Sequence, residues 1–434
     1  MNVAEYKSRL QQSANPINKH LPEIPKYQQV TKQLWDALQG DTVWGIMKYL
    51  GVDKMDDQWF RAEMEGRSFR VSEKVTPHLF KLFYGVKEKL HFEHPVDFYV
   101  VSDWSLNACA YLYQPQNPDN PYVVQVNSAM IETMTDTELC SVIGHELGHL
   151  LDENLKLEKM ICWLFPQRDQ FGYPVMPVPL RYKYFFWKQL SELFADRYGY
   201  LATENINACI SSEFKLKSGL KLDKMDADIT AFIWENRESL QHFISGHGLS
   251  LNNISHPVSP IRIEALNLFA TAKTEKELNE GMDVLVDAIA RLNQNNETGQ
   301  HLMWFVASAG LIMASADNEI TQGEVENILN NMSEFYMFPN DILRQVTPEN
   351  CSEVFNKSLQ SLLQINPDGR NDLFLYLVNI MVTDFKFKQE EIELLMKMGK
   401  EAFGLEEELI VKLIADGIRA NVASGVVPST SSIS

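Results

Sequence analysis

The 434-residue chain has no hydrophobic run long enough to cross a bilayer, which takes about 18 or more consecutive apolar residues. Its longest apolar stretch runs from Phe305 to Ala316 and stops at the charged Asp317. The first ten residues, Met1 to Leu10, also lack the apolar core that a secretory signal needs. We therefore expect a protein with no membrane-spanning segment and no export signal.

Cysteine is scarce and unpatterned. The five cysteines are an odd number, lie far apart in the sequence and form no CxxC pair. This spacing excludes a disulfide framework and is typical of reduced thiols, so we predict a cytoplasmic protein. The cysteines are Cys109, Cys140, Cys162, Cys209 and Cys351.

Positive charge is in deficit. Lys and Arg number 39 against 58 Asp and Glu, a formal net charge of -19, and no basic block opposes this balance. Nucleic acid and anionic lipid are therefore excluded as the main partners, because the summed field of the protein would repel them. Hydrophobic residues make up 45% of the chain and aromatic residues 11%, enough for sizeable cores in two or three domains.

One helical stretch carries the pattern on which the functional prediction depends. It contains His145-Glu146-x-x-His149, whose spacing places two imidazoles on one helix face, where both can bind a single zinc ion. The glutamate between them is the usual general base of such sites. The alternative is two hydrogen-bonded histidines without a metal. That alternative leaves the clustering of two histidines and a glutamate on an otherwise apolar helix unexplained.

The helix is predicted independently of this motif. Thr135 followed by Glu138 is a capping box, the sequence signature of a helix start. Apolar residues then recur at helical spacing, namely Leu139, Val142, Ile143, Leu147 and Leu150. The two histidines should therefore share one rigid element.

The segments before this helix predict one further helix and two strands. An amphipathic helix is expected over 77–90, and extended runs over 97–102 and 122–127 read as strands. Strands that lead directly into a zinc-binding helix are found in many zinc peptidases, where a sheet edge receives the substrate as an added strand.

A third zinc ligand must come from downstream. The extended metzincin pattern would need glycine at position 152 and histidine at 155, where this chain has Asp152 and Leu155. A glutamate from a second helix is the other common solution, and Glu192 offers one, with Asp196 on the same helix face. Asp196 could then accept a hydrogen bond from a ligand histidine and fix its tautomer. A solvated acidic helix face is the alternative, and Asp152 with its neighbour Glu153 is a weaker ligand candidate.

Four segments in order resemble the gluzincin metallopeptidases of peptidase family forty-eight, which include the CAAX prenyl protease and the bacterial stress-induced membrane protease. The resemblance covers roughly residues 66–270. The segments are Leu106-Asn107-Ala108-Cys109-Ala110, His145-Glu146-x-x-His149, Glu192-x-x-Ala195-Asp196, and His256-Pro257-x-x-x-x-Arg262-Ile263-x-x-Leu266.

The resemblance implies a zinc endopeptidase with one Zn2+ per chain, held by His145, His149 and Glu192, in which Glu146 activates the metal-bound water. It further implies that His256 and Arg262 lie at the site, as a donor to the oxyanion and a brace for the acidic ligands. The resemblance also implies that Asn107, Ala108, Cys109 and Ala110 form the edge strand beside which the substrate binds. His256 can also be read as a turn residue before a proline.

The chain departs from the best-known members of that family in one respect. Those members are polytopic membrane proteins, whereas here the segment from Leu150 to Ser191 contains no spanning run. A prenylated, membrane-held substrate is therefore not expected.

After residue 266 the sequence predicts alternating helices with a weak internal repeat at an offset of 67 residues. Asp317, Ile320, Glu324 and Ile328 correspond in this repeat to Asp384, Phe387, Glu391 and Leu395. The first copy resembles the all-helical TerB-like domain of tellurite-resistance proteins. A calcium-binding EF-hand is excluded, because its loop needs glycine at position 322 and glutamate at 328, where this chain has Gln322 and Ile328.

We therefore predict an α+β protein: a mainly helical metallopeptidase domain with a small sheet over 1–275, a TerB-like helical domain over 276–421, and a disordered tail over 422–434. The predicted activity is zinc-dependent hydrolysis of peptide bonds in protein or peptide substrates. The alternative is a catalytically silent scaffold or stress-response binding protein that acts through the TerB-like domain. That domain would regulate the peptidase or recruit a protein partner.

Overall fold

The computed structural model describes most of the chain. The described ranges are 23–51, 58–111, 121–151, 155–170, 172–176, 178–221, 228–244, 255–294, 297–316, 320, 322–333, 338–382 and 389–423. The predicted tail, 422–434, lies outside these ranges except for its first two residues, which end the last helix.

The chain divides into two compact units, Met1–Asn293 and Gln294–Ser434. The helix Glu275–Gln294 belongs to the first unit, and its apolar residues Leu285, Val286 and Ile289 are buried. On the same helix, Asp287 accepts a hydrogen bond of 2.7 Å from Lys26 Nζ. The boundary between the units therefore follows this helix, whereas the predicted boundary at 275 precedes it.

The first unit contains a four-stranded sheet. Its strands are β1 (Ser68–Arg70), β2 (Val96–Val101), β3 (Ala108–Tyr111) and β4 (Tyr122–Asn127), in the order β1-β2-β4-β3. The central strands β2 and β4 run parallel, with Phe98 beside Val124, and the outer strands pair antiparallel to them. β3 is consequently an edge strand. The predicted strands at 97–102 and 122–127 are confirmed as β2 and β4.

Twelve described helices accompany this sheet in the first unit. They are α1 (Pro25–Ala37), α2 (Gly40–Tyr49), α3 (Gln58–Arg67), α4 (Pro77–Lys89), α5 (Ser128–Thr133), α6 (Asp136–Leu151), α7 (Leu155–Leu164), α8 (Val178–Thr203), α9 (Ile206–Ser218), α10 (Ile229–Ile244), α11 (Ser259–Thr271) and α12 (Glu275–Gln294). The predicted helix at 77–90 is confirmed as α4. The main core joins α4, the sheet and α6 through Phe83, Phe98, Val126, Ile143 and Leu147.

Helix α6 begins as the capping box predicts. Glu138 Oε2 accepts hydrogen bonds from the backbone N–H of Thr135 at 2.7 Å and from its hydroxyl at 3.0 Å. The apolar residues that predicted the helix, Leu139, Val142, Ile143, Leu147 and Leu150, are all buried. The apolar face of α6 therefore anchors it to the core and fixes the rotation of its histidine-bearing face.

Helices α6 and α8 pack unusually closely because glycines face each other across them. A Cβ on Gly144 would lie 2.6 Å from Ala202 Cβ and 2.8 Å from the carbonyl oxygen of Tyr198. A Cβ on Gly199 would lie 2.9 Å from the carbonyl oxygen of Ser141. No side chain fits at these positions, so the backbones can approach to a distance that brings residues of α8 to the histidines of α6.

The second unit is helical in all of its described ranges. Its helices are α13 (Glu297–Ala314), α14 (Gln322–Ser333), α15 (Pro339–Leu343), α16 (Cys351–Ile365), α17 (Arg370–Met381), α18 (Gln389–Glu401) and α19 (Glu407–Ala423), with a 3-10 turn at Pro367–Gly369. Phe305, Phe355, Phe374 and Phe403 form its aromatic core, with Phe305 and Phe355 stacked at 5.8 Å between ring centroids.

The predicted repeat appears in this unit as two helix pairs. The first helices, α13 and α17, end at Ala314 and Met381, and the second helices, α14 and α18, start at Gln322 and Gln389. Both start and end positions differ by the predicted 67 residues. The acidic turns at Asp317 and Asp384 lie outside the described residues.

The α+β fold class is confirmed, with a largely helical chain around one small sheet. Among the helices that the structure describes, none is both long and apolar enough to span a bilayer.

Candidate active site

Three side chains from two helices converge at one point. His145 and His149 lie one turn apart on α6, and Glu192 faces them from α8. Their nearest ligand atoms, one from each residue, all lie within 4.8 Å of one another. The glycine contacts between α6 and α8 make this convergence possible.

The spacing of these atoms fits a tetrahedral metal ion. For an ion with bonds of about 2.0–2.1 Å, two ligand atoms lie about 3.3 Å apart. His145 Nε2 lies 3.1 Å from His149 Nε2 and 3.4 Å from Glu192 Oε2, and His149 Nε2 lies 3.5 Å from Glu192 Oε1. Glu192 Oε2 is buried and accepts no hydrogen bond from the described residues, as expected of an oxygen whose partner is an ion. The three residues could therefore hold a metal.

Asp196 sets the orientation of the first histidine. Its Oδ1 lies 2.9 Å from His145 Nδ1, so this nitrogen donates and Nε2 is left with its lone pair directed at Glu192. Burial alone would lower the pKa of His145, but the hydrogen bond to Asp196 and the negative charges of Asp196 and Glu192 raise it. Burial lowers the pKa of His149, so its imidazole stays neutral and able to bind a cation.

Asp196 is held in turn by Arg262 of α11. The guanidinium makes two contacts with its carboxylate, at 2.9 and 2.6 Å, and a third of 3.2 Å to Glu213 of α9. Burial would raise the pKa of Asp196, but Arg262 and His145 lower it to about 2. Asp196 therefore stays ionised, and the ordered chain Glu213–Arg262–Asp196–His145 fixes the imidazole.

Glu213 is a residue that the sequence analysis did not identify. It lies on α9, which starts behind the capping side chain of Asn205 and stops at Gly219, whose φ of 70° favours glycine. No local pattern distinguishes Glu213 from a surface acid, because its role arises from the packing of α9 beside α11.

Glu146 lies beside the two histidines and is 8% exposed. Its Oε2 accepts a 2.7 Å hydrogen bond from the backbone N–H of Ala110 in β3. Burial raises the pKa of Glu146, while His145 opposes this and Glu192 adds to it. A buried carboxylate with a raised pKa, fixed by one oxygen, is suited to accept a proton at the site.

The edge strand β3 lies next to these side chains. The carbonyl oxygen of Asn107 accepts a hydrogen bond of 3.0 Å from the backbone N–H of Asn127, so the backbone groups of every second residue from Asn107 onward face β4. By this alternation the backbone groups of Ala108 and Ala110 face away from β4, and the bond from Ala110 to Glu146 agrees with it. Cys109 is exposed when the whole residue is considered. Its sulfur is largely shielded from solvent, and this burial together with the charge of Glu146 raises the pKa of the thiol to about 12.

His256 also reaches the site. Its Nε2 lies 3.4 Å from Glu192 Oε2, its Nδ1 lies 2.8 Å from the Ser255 hydroxyl, and its side chain is 51% exposed. His256 thus lies on the solvent-exposed side of Glu192, three residues before the start of α11. All residues of the predicted site come together in the structure, from α6, α8, α11, β3 and the turn before α11.

These groups line a cavity of about 410 Å3. Its lining also includes residues that no sequence pattern singled out, namely Leu155 and Glu158 of α7, Trp187 and Lys188 of α8, and Tyr27 of α1. Lys188 precedes Glu192 by four residues, so helical periodicity could have predicted its place. Nothing in the sequence around Tyr27 indicates that α1 reaches the cavity.

Comparison with known proteins agrees with this geometry. Residues 76–269 match the model of peptidase family M48. The chain is 25% identical over 239 residues to the plastoglobule-localized metallopeptidase 48, chloroplastic, of Arabidopsis thaliana, an alignment that covers 52% of this chain and 67% of that protein. No solved structure matches the chain significantly. The part of the chain that carries His145, His149 and Glu192 is thus a domain similar to those of peptidase family M48.

Proposed function

We propose that the chain is a zinc-dependent endopeptidase. One observation carries the proposal: two imidazole nitrogens and a buried carboxylate converge at tetrahedral spacing directly beside a second buried glutamate. The similarity of residues 76–269 to peptidase family M48 supports it. The substrate class is protein or peptide.

In this proposal His145, His149 and Glu192 hold one Zn2+ per chain. Zinc, when bound, supplies a Lewis acid that polarises the scissile carbonyl and acidifies water. Three protein ligands leave one coordination position for chemistry, which distinguishes catalytic zinc sites from closed structural ones. Asp196 and Arg262 keep the ligand set in place.

Other residues of the chain carry out proton transfer, stabilise the developing negative charge and align the substrate. Glu146 accepts a proton from the attacking water and delivers it to the leaving amine, as a positioned general base and acid. The N–H of Ala110 keeps its carboxylate aimed into the cavity. His256, half exposed at the open side, donates to the oxygen on which negative charge develops. The outward backbone groups of Ala108 and the carbonyl of Ala110 pair with the substrate as an added strand, while the N–H of Ala110 stays with Glu146.

The experiment compares the wild type with Glu146→Gln on a protein substrate and a peptide library, with and without chelator. Glu146 is a base and not a ligand, so the variant should keep its zinc and lose hydrolysis by a factor of hundreds or more, the scale of general-base catalysis. Equal hydrolysis by the two proteins would refute the mechanism.

The competing function is a catalytically silent scaffold that acts through the helical unit. The position of Glu146 argues against this function. Its buried carboxylate accepts a 2.7 Å hydrogen bond from the backbone N–H of Ala110 in β3, and a scaffold has no need of a carboxylate fixed in this way. A wild-type protein that binds zinc but hydrolyses no peptide would favour the scaffold. We also propose that the second unit is a TerB-like domain that regulates the peptidase or recruits a protein partner. The proposed location is the cytoplasm.

A further inference from the structure

The cavity has two permanently cationic side chains among its described lining residues, Arg262 and Lys188. Arg262 is fully engaged, since its Nε and Nη2 contact Asp196 and its Nη1 contacts Glu213. Lys188 has one ionic contact in this part of the structure, to Glu158 Oε2 at 3.6 Å, longer than a hydrogen bond. An ammonium has three donors. Lys188 therefore has capacity for another anion.

Helical periodicity places Lys188 next to the metal ligands. It precedes Glu192 by one turn of α8, where Cβ atoms are about 5–6 Å apart. Its side chain lines the same cavity as His149, Cys109 and Glu192. Lys188 and the proposed reacting groups therefore share one cavity.

Glu158, the ionic partner of Lys188, also interacts with other groups. Its Oε1 accepts a 2.9 Å hydrogen bond from the Tyr184 hydroxyl, while its Oε2 is buried without a hydrogen bond from the described residues. Arg168 is also close enough to interact with its charge. The negative charge of Glu158 therefore acts on both Lys188 and Arg168, and Lys188 does not have this carboxylate to itself.

The walls around the ammonium are apolar. Tyr27, Leu155 and Trp187 line the same cavity and are 2%, 5% and 2% exposed. Burial alone would lower the pKa of Lys188, but Glu158 and then Glu192 raise it, so the ammonium stays charged. A charge pair formed against such walls is weakly screened and is stronger than one on the surface.

We propose that Lys188 forms a subsite that binds a carboxylate of the substrate next to the scissile bond. The inference rests on the proposed peptidase function and adds substrate selectivity to it. The carboxylate has two possible sources with the same chemistry, the C-terminus of the peptide or an Asp or Glu side chain. Tyr27 lies outside residues 76–269, so part of the wall of this subsite comes from outside the region that matches the family model.

The test uses matched peptides with the full-length protein. One pair differs only in a free or amidated C-terminus, and a second, amidated set carries Glu or Gln at each position flanking the cleaved bond. The measured quantity is the ratio of kcat/KM, acidic over neutral, within each pair. We expect a ratio of about ten or more in one pair for the wild type, the scale of one charge-assisted hydrogen bond. Which pair shows it identifies the source of the carboxylate.

The variants separate substrate binding from structural damage. Lys188→Met should reduce the ratio to about one, Lys188→Arg should retain most of it, and Glu158→Gln should keep or raise it by removing the competing carboxylate. Lys276→Met, at an 81% exposed side chain, changes the net charge equally and should leave the ratio intact. Because each ratio comes from one preparation, partial loss of folded protein cancels.

A second readout does not depend on turnover. Fluorescence anisotropy with the Glu146→Gln protein should show the same preference for the acidic peptide in its Kd, and adding Lys188→Met should remove it. A wild type that cleaves both members of every pair equally, or a ratio unchanged by Lys188→Met, overturns the subsite and leaves the peptidase intact. A wild type that cleaves no peptide overturns both proposals.

Discussion

Arg262 and Asp196 form a two-point ion pair, in which Arg262 Nε lies 2.9 Å from Asp196 Oδ2 and Nη2 lies 2.6 Å from Oδ1. Two contacts fix the plane of the carboxylate as well as its position. Since Oδ1 also lies 2.9 Å from His145 Nδ1, the orientation of this metal-site imidazole depends on a residue of a different helix. Arg262 is thus a positioning residue in our account.

Arg262→Lys should weaken metal binding although the charge is kept. A lysine cannot make the two-point contact and also reach Glu213, so Asp196 and His145 lose their fixed orientation. We expect metal affinity to fall by about 10–100-fold, the usual effect of disturbing a partner of a ligand histidine. Competition with a chromophoric chelator measures it.

The matched control is Arg237→Lys, which breaks a similar two-point pair with Glu264, at 2.9 and 2.9 Å, without touching the metal residues. Its metal affinity should equal that of the wild type. Indistinguishable affinities in the two variants would remove Arg262 from the mechanism.

Gly144→Ala should separate α6 from α8. The new Cβ would lie 2.6 Å from Ala202 Cβ and 2.8 Å from the backbone of Tyr198, too close without movement of a helix. We expect the free energy of unfolding to fall by about 1–3 kcal/mol, as for overpacking of a core, together with weaker metal binding. Urea unfolding monitors the first and chelator competition the second.

Gly85→Ala in α4 is the matched control, because a Cβ there meets no atom within 4 Å. It should be neutral or stabilising by up to about 1 kcal/mol, the helix propensity difference. If Gly144→Ala behaved like Gly85→Ala, close packing of glycines could not be what sets the metal-site spacing.

The elements that sequence patterns predict correctly are those whose determining interactions are local. The capping box at Thr135 and the apolar period of α6 fix which face carries His145 and His149, and both signals lie within one helix. Glu192 was predicted from its spacing to Asp196 and from the family resemblance, and the structure places it against the two histidines. Each element could thus be described before the structure was available.

Relations between elements could not be obtained from the same patterns. That β2 and β4 pair in parallel, with the short β1 and β3 at the edges, depends on contacts between distant segments. The place of Glu213 depends on how α9 packs beside α11, and that of Tyr27 on how α1 lies against α8. Such residues have ordinary local sequences, so their roles become visible only in three dimensions.

Glu138 provides a pH-dependent part of the stability of α6. Burial would raise its pKa, but Lys215 at 2.7 Å, the Ser211 hydroxyl and the Thr135 N–H lower it. A lowered folded-state pKa stabilises the fold above the ordinary glutamate pKa, and this stabilisation is lost as pH falls through the folded-state value. Glu138→Gln should therefore cost about 3 kcal/mol at pH 7, typical of a broken buried ion pair.

The difference in unfolding free energy between wild type and Glu138→Gln should shrink below about pH 4, where the carboxylate becomes protonated in the unfolded and then in the folded state. Urea titrations at several pH values measure it. Glu280→Gln, which removes a 70% exposed ion-pair partner of Lys276, should show almost no difference at any pH. A Glu138→Gln difference that stayed constant with pH would show that ionisation is not the cause.

The role of the helical unit can be tested by ending the chain after Asn293. A cut near residue 275 would remove α12, which belongs to the first unit, so the later position is the proper one. If the second unit restrains the peptidase, the 1–293 fragment should hydrolyse a generic peptide faster than the full chain at equal zinc content. Equal or lower activity of a folded fragment would favour recruitment of partners instead.

The zinc content of purified protein tests the central claim most directly. Elemental analysis should be made on the wild type, Glu192→Gln and Glu158→Gln, because Glu192 and Glu158 line the same cavity and have different assigned roles. We predict one zinc per chain in the wild type and in Glu158→Gln, and only a small fraction of that in Glu192→Gln, because two histidines alone bind zinc weakly. Full zinc occupancy in Glu192→Gln, or none in the wild type after zinc loading, would contradict the assignment of His145, His149 and Glu192 as the metal site.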